Sequence, residues 1–130
     1  KLSDDLTVID DTYNANPDSM KAALDVLSRF DGTKVFVMGA IGELGATSLQ
    51  LHAEVGTYAN EKGLAALFAL GDDAKAASEA SAVGQYFENV DALLAALRPY
   101  DVAGTTILVK GSRFMQMERV VEALLHTTGK

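Results

Sequence analysis

Three short runs, KVFVMG (Lys34 to Gly39), AALFALG (Ala65 to Gly71) and TTILVKG (Thr105 to Gly111), are apolar without alternation. A strand of that kind buries both of its faces, so helices must cover the sheet on two sides and the strands run parallel. Further strands are predicted at Leu6 to Ile9 and, more weakly, at Gln85 to Asn89. Between them the apolar spacing turns helical over Pro17 to Arg29, Ser48 to Lys62, Asp73 to Ala82, Val90 to Leu97 and Arg113 to Thr127. Strand and helix thus alternate five times. That pattern predicts an α/β fold in three layers, with a mostly parallel sheet of about five or six strands.

At 130 residues and 48% apolar content the chain can bury a core of its own, and residues 1–130 read as a single domain without repeat or linker. The absence of cysteine removes disulfides and thiolate zinc sites and makes the cytoplasm the expected compartment. A formal charge of −7, with 11 Lys and Arg spread along the chain, argues against nucleic acid as a partner. No apolar run approaches the roughly 20 residues that span a bilayer, and KLSDDLTVID lacks an apolar signal core, so no membrane association is expected. A strand only a few residues from Lys1 reads as part of something longer.

Local signals place the helix ends. Pro17 suits a first helical turn, Asn16 or Ser19 can cap it, and Gly32 is the stop. The second helix is expected to end at Gly63 and to turn Leu49, Leu51, Val55 and Ala59 toward the sheet. After the third strand, Asp72 and Asp73 suffice as helix caps.

Ligands of open parallel sheets collect beyond the carboxyl ends of the strands, so those loops carry the functional signal. After the first strand come Asp10, Asp11, Thr12, Tyr13, Asn14 and Asn16, of which turn and cap preferences explain about half. An aspartate there is placed to accept hydrogen bonds from a ribose or another diol, and the asparagine amides can bind an amide or carbonyl. After the second strand, GAIGELG has glycines at 39, 42 and 45, which do not match the dinucleotide fingerprint, and no phosphate loop occurs in the chain. The loop reads equally as a positive-φ turn or as bare backbone open to a ligand, with Glu43 offering a carboxylate. His52 follows inside the second helix; a lone histidine there is more often packed or at the surface than catalytic. After the last strand, Lys110, Ser112 and Arg113 open a helix. Ser112 is a sufficient cap, but two cations at a helix N-terminus oppose its dipole and suit an anion, which Arg113 can hold bidentately. No nucleophile–base pair is present, and Ser19-Met20-Lys21 lacks the S-x-x-K spacing.

IDDTYNANPDSM, GELG with a histidine seven residues after its last glycine, and LVKGSR with the later ME and VV pairs together resemble the C-terminal domain of the Mur ligases, in order and over nearly the whole chain. The string D-x-Y-N-A-N-P looks like the type that adds D-alanyl-D-alanine to UDP-N-acetylmuramoyl-tripeptide. The resemblance implies a Rossmann-like domain of an ATP-dependent, amide-forming ligase of peptidoglycan precursor synthesis. In such enzymes an N-terminal domain takes the uridine nucleotide, and a central domain carries the phosphate loop and the magnesium sites. ATP and Mg would therefore be held mainly outside this chain, with no catalytic residue and no metal ligand in it. The C-terminal domain closes over ATP and helps bring in D-Ala-D-Ala.

Matched position by position, the resemblance assigns Asp11 to the ATP ribose and Asn16 to the shape of the same loop. Tyr13 and Asn14 face the cleft, toward nucleotide or dipeptide. Lys110, Ser112 and Arg113 match KGSR and are placed near the incoming dipeptide, and Glu43 and His52 join the substrate-binding set. Where many relatives of this type read GDMxELG, the chain has Ala40 in place of the aspartate. The expected protein is a monomer acting on ATP, D-Ala-D-Ala and the UDP-linked tripeptide, inactive as an isolated domain. The residues alone also admit a freestanding Rossmann-like nucleotide-binding or interaction module; a dinucleotide oxidoreductase is disfavoured by the glycine spacing.

Overall fold

The computed structural model describes residues 6–11, 17–30, 32–39, 48–100, 104–111, 117 and 119–122. Strands β1 (Leu6–Asp11), β2 (Thr33–Gly39), β3 (Ala66–Leu70), β4 (Gly84–Phe87) and β5 (Thr105–Lys110) form one parallel sheet in the order β1-β5-β2-β3-β4. Helices α1 (Pro17–Ser28), α2 (Ser48–Asn60) and α3 (Lys75–Ala80) cover one face. The other is covered by α4 (Val90–Leu97) and by Met117, Val120 and Val121, from the segment expected as the last helix. Residues 119–122 are helical, and the rest of that helix lies outside the described residues. Every other expected strand and helix ends within two residues of its observed limit.

The unalternated runs are explained by this layering. On β2, Phe36 and Met38 meet α1 and α2 while Val35 and Val37 meet α4; on β5, Leu108 takes the first side and Ile107 and Val109 the second. All of these side chains are buried. The layers also approach closely where glycine replaces a side chain. A Cβ at Gly56 would overlap the carbonyl of Ala77, so α2 and α3 touch backbone to backbone, and a Cβ at Gly84 would overlap the Ser78 carbonyl. Asn60 ties the same region together: its amide donates to Ala80 O at 3.0 Å, and its Oδ1 accepts from the Ala82 N–H at 2.8 Å.

The stop signals at Gly32 and Gly63 coincide with positive φ, 84° and 69°. Two local expectations are corrected. Leu49 does not face the sheet but is 58% exposed, and His52, fully buried, shares the inward stripe with Val55 and Ala59. Helix α3 is not capped by an aspartate: it grows out of a 3-10 turn (Asp72–Ala74) with Ala74 as its cap residue, whose own N–H is satisfied by Gly71 O at 3.0 Å.

On the outer surface α1 and α2 are latched together. The Tyr58 hydroxyl donates to Asp25 Oδ1 at 2.6 Å, Lys62 Nζ approaches the same oxygen at 2.9 Å, and Lys62 also stands over the Tyr58 ring at 4.5 Å. The Tyr58 hydrogen bond, then Lys62, hold the Asp25 carboxyl below its usual range; Asp25 in turn raises both Tyr58 and Lys62.

Two predictions follow from this packing. Gly56→Ala should lower unfolding stability by about 2 kcal/mol or more, because the α2–α3 backbone contact cannot open without parting both helices from the sheet; urea denaturation measures it, and an unchanged midpoint would contradict the contact. The latch has a pH signature with a definite sign. A lowered Asp25 contributes stability above its usual value, lost as pH falls through the folded value; raised Lys62 and Tyr58 contribute below theirs, lost as pH rises. The melting temperatures of wild type and Asp25→Asn should thus differ most between about pH 5 and 9 and converge outside it. A difference independent of pH would show that the latch is not electrostatic.

Candidate functional site at the carboxyl edge of the sheet

Parallel strands bring all their carboxyl ends to one edge. Asp11, the last residue of β1, is in register with Lys110, the last of β5, and Lys110 is in register with Met38 on β2. Neighbouring strands lie about 4.8 Å apart, so residues that are 99 positions apart in sequence end side by side. One step further, Gly39 and Gly111 are adjacent: a Cβ at Gly111 would sit 3.4 Å from Gly39 Cα, and Met117 fills the space that a longer side chain would need.

Lys110 is only 3% exposed. By alternation with Leu108 its side chain leaves the sheet on the face covered by α1 and α2. His52 is buried under the same face, on the N-terminal half of α2, which starts from this edge. Each of the two interacts with a neighbouring group, as burial of a polar side chain requires.

A second part of the edge lies beyond β3 and β4. A cleft of about 420 Å³ is lined by Leu70, Gly71, Glu88, Asn89, Val90, Asp91 and Arg119. Gly71 turns the chain out of β3 at φ 101°, a left-handed conformation that glycine adopts without strain. Asn89 caps α4, its Oδ1 accepting from the Ala92 N–H at 2.8 Å, and Phe87 anchors the end of β4 by an edge contact on Phe68 with ring centres 5.4 Å apart. On the α3 side the Tyr86 hydroxyl donates to Asp72 Oδ1 at 2.9 Å, with Lys75 Nζ 5.6 Å from the Tyr86 ring centre.

Of the residues expected at the site, Asp11, Lys110 and His52 are brought to this one end of the sheet. Tyr13, Asn14, Asn16, Glu43, Ser112 and Arg113 lie outside the described residues. The cleft residues Glu88, Asn89, Asp91 and Arg119 were not foreseen. The signal available for them was a capping asparagine directly after a strand, which marks a helix start on the ligand-collecting edge. Among the described residues no group of three or more His, Cys, Asp or Glu could hold a metal ion, and no helix is long and apolar enough to cross a membrane.

Residues 1–113 match the family model described as Mur ligase, glutamate ligase domain. The chain belongs to the Mur ligase family. This Mur ligase domain is 41% identical over 126 residues to UDP-N-acetylmuramoyl-tripeptide–D-alanyl-D-alanine ligase of Escherichia coli (strain K12), a match that covers 95% of the chain and 28% of that protein. Its fold is similar to the crystal structure of MurF ligase from Thermotoga maritima in complex with ADP, with a TM-score of 0.87 at 27% identity over 98% of this chain and 30% of that one. MurF from Acinetobacter baumannii gives a TM-score of 0.79 at 39% identity over 88% of this chain and 26% of that one. The Mur ligase chain described here spans less than a third of the length of each of these relatives.

Chemically, the edge combines a carboxylate-bearing strand end, closely spaced glycine backbone, a buried cation and a cleft with both signs of charge. These groups suit the hydroxyl and zwitterionic parts of ligands.

Proposed function

We propose that this chain is the C-terminal domain of an ATP-dependent ligase that joins D-alanyl-D-alanine to UDP-N-acetylmuramoyl-tripeptide in peptidoglycan precursor synthesis, and that its carboxyl edge forms one wall of the reaction cleft. The observation that carries this reading is the register of Asp11 with Lys110. The two motifs that the chain shares with this ligase type, D-x-Y-N-A-N-P and KGSR, begin at the ends of two paired strands, so one cleft can serve both nucleotide and dipeptide. The 41% identity to the Escherichia coli ligase, over nearly the whole chain, supports the same assignment.

In this reading Asp11 accepts hydrogen bonds from the ribose hydroxyls, and Asn16 holds the loop that presents it, with Tyr13 and Asn14 lining the cleft. Arg113 meets the dipeptide carboxylate, with Ser112 beside it. Lys110, buried beneath the edge, adds positive charge from below rather than a direct contact. Glu43 completes the dipeptide side, and His52, fully buried, supports the edge from beneath rather than by contact with the ligand. ATP supplies the activation of the tripeptide carboxylate, which the dipeptide amine then attacks. Magnesium and the phosphates are assigned to the remainder of the ligase, which works as a cytoplasmic monomer.

Kinetics of the full-length ligase test these roles. Asp11→Ala should raise the KM for ATP by about tenfold, and Arg113→Ala should raise the KM for D-Ala-D-Ala by at least as much with little change for ATP. Normal kinetics in both variants would remove the site assignment.

A further inference from the structure

We propose that the cleft beyond β3 and β4 is the subsite for the side chain of the tripeptide's third residue, and that Arg119, with Glu88 and Asp91, makes it select a side chain ending in both an ammonium and a carboxylate group. The inference rests on the function proposed above and leaves the dipeptide at the end of β5. The lining of the cleft indicates the class of ligand. Leu70 and Val90 offer apolar surface to a methylene chain, Glu88 and Asp91 can accept hydrogen bonds from an ammonium group, and Arg119 can donate to a carboxylate. Arg119 has an interaction of its own, but a guanidinium carries five N–H donors and can serve a ligand as well. A polyphosphate does not suit this lining, because the two carboxylates would repel it.

The strand order gives the cleft this role. The carboxyl ends lie along one edge in the order β1-β5-β2-β3-β4, with the nucleotide assigned to β1 and the dipeptide to β5 in the reading above. At about 4.8 Å per strand, the ends of β3 and β4 stand roughly 10 and 14 Å from the end of β5. A dipeptide held at β5 by its carboxylate and laid along the edge carries its amine about 7 Å toward them, and there the amine must meet the tripeptide carboxylate. From that carboxylate a side chain of four or five bonds extends about 6 Å further, which brings its end to the cleft. The charged groups are positioned by the fold before any ligand arrives. Asn89 caps α4 by accepting from the Ala92 N–H, which fixes Asp91 in the first turn and Glu88 just ahead of it. Arg119 stands exposed, while Met117 and Val120 on either side of it are buried against the sheet. Groups held in this way bind with less loss of side-chain freedom.

The test is steady-state kinetics of the full-length ligase with ATP, D-Ala-D-Ala and either of two UDP-linked tripeptides. One ends in 2,6-diaminopimelate, whose side chain carries an ammonium and a carboxylate, and the other in lysine, whose side chain carries the ammonium alone. The wild type should show a KM about tenfold lower for the first. Arg119→Met should raise the KM for the diaminopimelate tripeptide by about tenfold and change that for the lysine tripeptide by less than about twofold, so that the preference disappears. Glu88→Gln with Asp91→Asn should raise the KM for both tripeptides by about fivefold, because both carry the ammonium. In all variants the KM for ATP and for D-Ala-D-Ala should stay within about twofold of wild type. Three results would overturn the inference: no preference in the wild type, an Arg119→Met variant that treats both tripeptides alike relative to wild type, or equal losses for tripeptide, ATP and dipeptide, the mark of a structural role alone. Failure of the underlying function looks different, since the wild-type enzyme would then join D-Ala-D-Ala to neither tripeptide.

Discussion

The insertion of β5 between β1 and β2 is the constraint on which the rest depends. Among the described residues strand β1 pairs with β5 alone, through six register pairs from Leu6↔Thr105 to Asp11↔Lys110, so the first described strand is held to the sheet by the last. Closing so long a loop is entropically unfavourable, but the cost grows only logarithmically with length, and two full ladders on β5 together with burial of all six of its residues offset it. The functional consequence is direct. The strand ends of β1 and β5, which carry the two motifs, meet only because β5 is central.

Around that strand the sheet is buried on both faces, and its helices can lie close because selected positions lack side chains. Gly56 lets α2 meet α3, and Gly84 lets β4 run beneath α3. These contacts fix where β4 and the turn after β3 stand, and with them the cleft at that end of the sheet. The near edge of the sheet is thus defined by strand register and the far edge by helix packing. A mutation that loosens α3 would be felt in the cleft beside Glu88 and Asp91 rather than at Asp11.

Much of this was legible in the residues. Apolar runs without alternation, such as Val35 to Met38 and Ile107 to Val109, can only be two-sided strands, and the glycines at 32 and 63 sit where a left-handed turn ends a connection. The strand order was not legible, because it follows from long-range pairing that no local window contains. The inward face of α2 was misjudged for a related reason. Ranking by hydropathy favours Leu49, but His52 stands between Val55 and Gly56 around the helix, inside the buried arc, and Leu49 at its rim. The cleft was missed because Gly71, Glu88 and Arg119 belong to three separate elements and become neighbours only through the sheet and α4. Six of the nine expected site residues lie outside the described part, so their assignment rests on the motifs that contain them.

The central claim is that this domain supplies one wall of a cleft and needs the remainder of the ligase to bind nucleotide. Calorimetric titration with ATP, of the 130-residue chain alone and of the full-length enzyme under the same conditions, tests it most directly. The account predicts saturable binding by the full-length enzyme and none by the isolated chain up to millimolar ATP. Tight binding or hydrolysis of ATP by the isolated chain would contradict it.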